Sequence, residues 1–145
     1  MRLDRYYKKN GWKESLILIL CILALLVATY NHINDILAGG LFPYTGRWGT
    51  PEIFNVYWTS LTILDPLAAF LLVFHTRAGY TVALVIMLTD VPINLYANAY
   101  YWHIPFYKNY FLLMQIAFLI FLLVMFRRVW KLSAFYKLGQ ESLIR

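Results

Sequence analysis

Three acidic side chains, Asp35, Asp65 and Asp90, stand inside otherwise apolar runs of the sequence. An ionisable group within a membrane span costs at least about 2.5–3.5 kcal/mol, so such a group is by default a functional candidate. No Lys or Arg lies within the same runs to neutralise these carboxyls. Unpaired, they can meet a cation, donate a proton to a bound molecule or, if Asp65 and Asp90 approach each other, share one proton. These two are the candidate catalytic acids. His32, three residues before Asp35, offers a second titrating pair. His75 and His103 fall at expected helix boundaries and read as interfacial. A metal site built from His32, Asp35 and His103 lacks any recognised ligand spacing, so no metal and no cofactor is expected.

Spacing assigns each acid to a face, because residues three or four apart stack on one side of a helix. Asn31, His32 and Asp35 share one face. Asn55, Trp58, Thr62 and Asp65 form a second stripe, and Asp90, Asn94, Asn98 and Tyr101 a third. With a rise of about 1.5 Å per residue, Asp65 and Asp90 both lie about 15 Å from the inner boundary and Asp35 about 30 Å. The inner segments 16–27, 67–74 and 82–87 are almost purely apolar. Together the stripes predict a polar cavity between spans one, two and three, open toward the non-cytoplasmic side and floored near Asp65 and Asp90. The plainer alternative is that these polar groups bond helix to helix, at about 0.6 kcal/mol each, with Asp35 solvated. Pro66 follows Asp65 and Pro92 lies two after Asp90, placing a missing backbone donor beside each acid. Span four offers only Gln115, which suggests that it mainly closes the bundle.

The elements that must position these groups follow from composition. Of 145 residues, 61% are hydrophobic and 14% charged, against about 45–50% and about 25% in a soluble domain. An apolar excess of this size has to face lipid. Four spans are expected, at about 16–37, 52–75, 81–102 and 110–126, joined by loops at 38–50, 76–80 and 103–109, with Pro51 suited to a first helical turn. A cleavable signal peptide is the rival for the first run, but its apolar core would not end in Asn31, His32, Asn34 and Asp35. Short loops between long helices predict a single all-α membrane domain over 1–145, an antiparallel four-helix bundle.

Orientation comes from the basic residues. Eleven of the 13 precede span one, follow span four or, as Arg77, lie in the second loop; only Arg47 and Lys108 lie opposite. Both termini are therefore expected in the cytoplasm. The formal charge of +6 marks topology rather than nucleic-acid binding, since the basic residues sit at the ends of apolar runs. Aromatic residues near the boundaries, among them Tyr44, Tyr57, Tyr100 and Trp102, fit interfacial belts. The basic tail 127–145, with Trp130, Phe135 and Tyr136, reads either as an interfacial segment or as a solvated end. Cys21 is the lone cysteine, so no intrachain disulfide is available. No phosphate loop, HExxH or GxSxG motif is present.

The four-span plan, acids on spans one and two, and the segment Leu88-Thr89-Asp90-Val91-Pro92-Ile93-Asn94-Leu95-Tyr96 resemble the emopamil-binding and sigma-2 receptor superfamily, the EXPERA domain. The resemblance covers about residues 24–126. It implies a membrane pocket whose acids, here Asp35 and Asp65, meet a cationic amine or a sterol.

Function is accordingly expected from a multi-pass protein of a bacterial inner membrane or ER-type membrane, with the lipid bilayer and a small molecule as partners. The first reading is binding of an apolar or cationic amphipathic ligand, its charge at Asp65 or Asp90 and its body against Trp58, Tyr96 and Tyr101. The second is a lipid or sterol-type isomerase using an aspartate as general acid. A third is proton-coupled transport, for which four-span protomers would form a homodimer. A structural or assembly role is the fourth.

Overall fold

The computed structural model describes residues 12–45 and 49–141. Among them four helices make up the fold: α1 (Trp12–Gly39), α2 (Glu52–Phe74), α3 (Thr76–Ala97) and α4 (Tyr110–Glu141). Within them Ser15–Gly39, Glu52–Phe74, Thr76–Trp102 and Tyr110–Trp130 are each long and apolar enough to cross a bilayer. Among the described residues the regular structure is thus all-helical with four candidate spans, the plan of a multi-pass membrane protein. Arg2, Arg5, Lys8, Lys9, Arg47 and Arg145, on which much of the charge argument rests, lie outside the described residues.

Each helix packs on its successor. Small side chains at the contacts, Ala68, Ala69 and Ala83, let backbones approach closely, as suits helices that gain little from hydrophobicity in lipid. Tyr80 is fully buried and donates its hydroxyl to the Leu122 carbonyl at 2.6 Å, tying α3 to α4. On the opposite faces Ile63, Phe70 and Val124 are exposed, as lipid-facing side chains would be.

α1 ends where Gly40, at φ 75°, turns left-handed and its N–H returns to the Ile36 carbonyl at 2.8 Å, a common helix stop. The loop that follows is held by Asn55 at the start of α2. Its amide donates to the Leu41 carbonyl at 2.9 Å, and its oxygen accepts the Tyr44 N–H at 3.0 Å. Pro51 caps α2 rather than occupying its first turn.

The connection between α2 and α3 differs from the expected five-residue loop. His75 alone separates them, and α3 begins at Thr76. Gly79 makes this possible: a Cβ there would collide with the Leu72 backbone nitrogen and stand 2.6 Å from the Leu71 carbonyl carbon. Composition located the hydrophilic junction but not how tightly a glycine lets the helices cross.

Both α2 and α3 continue through Pro66 and Pro92. The departure from α-helical geometry comes instead at Asn98–Trp102, a π-helical turn closed by the His103 N–H on the Asn98 carbonyl at 2.9 Å. Asn109 then caps α4 by accepting the Leu112 N–H at 3.1 Å. α4 itself runs 32 residues, about 48 Å, so segment 127–141 prolongs the span as helix. The side chains beyond Trp130 lie outside the described set.

Candidate functional site

The C-terminal parts of α1 and α3 and the N-terminal parts of α2 and α4 line a cavity of about 990 Å³, at the upper end of the usual range of ligand pockets. Asp35, Asp65 and Asp90 all line it, together with His32, Asn31, Asn94, Tyr44, Trp58, Trp102 and Gln115. Among the described residues no Lys or Arg does. The remainder of the wall is apolar, chiefly leucines of α1 and Phe111, Met114 and Phe118 of α4.

The two deep acids have different company. Asp90 is 4% exposed. One of its oxygens accepts from Asn94 Nδ2 at 2.7 Å and the other from Gln115 Nε2 at 2.8 Å. Asn94 sits one turn further along α3 and also bonds the Asp90 carbonyl at 2.9 Å, which fixes its amide orientation. Two neutral N–H donors suit a carboxylate that carries charge. Asp65, 2% exposed, is met by an ionisable partner, His32 Nε2, at 3.8 Å.

Asp35 belongs to a third group at the rim. The Tyr44 hydroxyl donates to Asp35 Oδ2 at 2.5 Å and lies 3.5 Å from His32 Nδ1. Burial first, then the bond to Asp35 and the charges of Asp35 and Asp90, push the Tyr44 hydroxyl above its ordinary range. It therefore stays protonated and acts as a donor toward Asp35. Asp35, Tyr44, His32 and Asp65 thus form one continuous line from a half-buried rim to a buried floor.

Aromatic rings cover the cavity beside the α1–α2 loop. Tyr44 meets Trp58 edge-on at 4.9 Å, and Trp58 meets Trp102 at 5.5 Å. Among the described residues neither buried indole N–H finds an acceptor, at a cost of about 1–3 kcal/mol each. The exposed part of the lining lies on the first and last helices, at Leu20, Leu23 and Val27 of α1 and at Phe111 and Met114 of α4. The opening is thus a slot between the first and last helices that reaches Asn34 near the end of α1.

Of the residues singled out from sequence, Asp35, His32, Trp58, Asp65, Asp90 and Asn94 come together around this cavity. Thr62, Asn98 and Tyr101 lie off its lining. Thr62 Oγ1 is buried and has no partner among the described residues. Asn98 braces the π-turn, donating to the Ile104 carbonyl and accepting from Asn109, both at 2.8 Å. Tyr101 packs against Phe54 at 5.9 Å, as does Tyr96. Span four does more than close the bundle, since Gln115 bonds Asp90 directly. Tyr44 and Trp102 gave no sequence signal beyond a place among boundary aromatics. Among the described residues no group of three or more His, Cys, Asp or Glu is arranged to hold a metal ion.

No family model, curated protein or solved structure matches the chain.

Proposed function

We propose that the protein binds a small amphipathic cation within the membrane, its charged group among Asp65 and Asp90 and its apolar body along the α1–α4 slot. The observation that carries this reading is a cavity lined by three carboxyls and, among the described residues, by no basic side chain other than His32. A carboxylate in that setting gains more from an arriving cation than it would in water. Trp58 and Trp102 add aromatic faces to which a cationic group is attracted. Exposed lining on α1 and α4 favours a ligand drawn from the bilayer rather than from water.

The same reading includes an antiparallel up-down arrangement with both termini in the cytoplasm, which the distribution of basic residues supports. It places Asp35 and the aromatic cover toward the non-cytoplasmic side. It also keeps the EXPERA likeness, in which pocket acids meet amines or sterols, as a proposed kinship. Isomerase chemistry would use Asp65 or Asp90 as proton donor. It stands second, because the Asn94 and Gln115 donors suit a charged Asp90 better than a protonated one.

The test is ligand affinity measured by tryptophan fluorescence in lipid nanodiscs, comparing dodecylamine with dodecanol. Dodecylamine should bind saturably and dodecanol at least about tenfold more weakly, a difference of about 1.4 kcal/mol. Asp65→Asn and Asp90→Asn should each erase the preference. Equal affinities for the two probes would overturn the reading.

A further inference from the structure

We infer that binding of a cation in this cavity expels one proton, which leaves from His32 through Tyr44 and Asp35. This exchange rests on the cation-binding reading above and adds a second ion to it.

The hydrogen bonds along the line have a direction. Tyr44 donates its hydroxyl proton to Asp35 Oδ2 at 2.5 Å. A phenol has one proton, so toward His32 Nδ1, 3.5 Å away, the same oxygen is left to accept. Nδ1 therefore carries hydrogen. The other ring nitrogen, Nε2, faces Asp65 Oδ2 at 3.8 Å. Two bare lone pairs facing each other there would be repulsive, and two protons would crowd the same gap. The favourable arrangement holds one proton between His32 and Asp65, as imidazolium with carboxylate or as imidazole with carboxylic acid. Either way the pair is neutral.

A cation arriving at Asp65 changes this balance. It claims the carboxylate and stands beside an imidazolium in a poorly solvated space, where like charges repel strongly. The remaining groups facing Asp65 do not offset this. Asp90 on α3, a carboxylate held by the neutral amides of Asn94 and Gln115, attracts the cation and the imidazolium alike and so leaves their mutual repulsion in place. Tyr57, on the helix of Asp65, is engaged with Thr89 at 2.8 Å.

Relief comes by proton loss along the existing line. The Nδ1 proton passes to the Tyr44 oxygen while the Tyr44 hydroxyl proton passes to Asp35, and Asp35, half-buried at the rim, releases it to water. His32 is left neutral with its hydrogen on Nε2, aimed at the Asp65 carboxylate. One positive charge enters, one leaves, and the cavity keeps its net charge.

The test uses dodecyltrimethylammonium, a permanent cation that has no proton of its own to lose. Its binding to the full-length protein in zwitterionic nanodiscs near pH 7 is followed by calorimetry in two buffers of different ionisation enthalpy. The expected result is about one proton released per cation bound, falling to none in His32→Gln. Tyr44→Phe should slow the release, read with a pH dye in stopped flow, by at least about tenfold. Saturable binding with no proton released, or undiminished release in His32→Gln, would overturn the exchange and leave the binding reading intact. Absence of saturable binding would overturn both.

Discussion

Gln115 Nε2 on α4 donates to Asp90 Oδ2 on α3 at 2.8 Å. This bond joins the last helix to the site and completes the pairing of a buried carboxyl. Gln115→Leu leaves one Asp90 oxygen without its donor, so stability should fall by about 1–3 kcal/mol. Denaturant unfolding in mild detergent measures this, and an unchanged midpoint would show that the bond contributes nothing.

Gly79 lies where a methyl group cannot fit, since an added Cβ would collide with the Leu72 nitrogen and stand 2.7 Å from the Leu72 Cα. Both are backbone atoms, so relief requires the helices to move apart. Gly79→Ala should therefore destabilise the α2–α3 pair by about 1–3 kcal/mol or more. Ala78→Gly, one residue away, is the control for altered helix propensity, with an expected cost of about 1 kcal/mol. Thermal unfolding of the two variants distinguishes crowding from propensity.

The Tyr44 hydroxyl is held above its ordinary range by burial and by Asp35. Above about pH 10, the unfolded value, the folded chain thus keeps a proton that the unfolded chain loses. Stability from this group is complete below that pH and declines as pH rises toward the folded value. Wild type should lose stability more steeply than Tyr44→Phe above about pH 10. Parallel curves for the two proteins would contradict the Asp35 bond.

The helices were legible because lipid imposes long apolar runs, and the acids because their cost within such runs makes them conspicuous. Helical spacing then gathered Asp35, Asp65, Asp90, His32, Trp58 and Asn94 on the faces that line the cavity. Spacing alone could not distinguish lining from packing within a stripe. Asn55 and Asn98 fall in register with the acids yet serve the loops, donating to the Leu41 and Ile104 carbonyls. Tyr44 was illegible for the opposite reason. It lies in an irregular loop, where no periodicity links it to Asp35, and the Asn55 bond to its backbone brings it over the site.

The most direct measurement is photocrosslinking with an alkylammonium that carries a diazirine midway along its chain, followed by peptide mapping. The expected labels fall on Leu20, Leu23 or Val27 of α1 and on Phe111, Met114 or Phe118 of α4, are displaced by excess dodecylamine and disappear in Asp65→Asn. Labelling spread over Ile63, Phe70 and Val124 on the outer faces, undiminished by the competitor, would contradict the account.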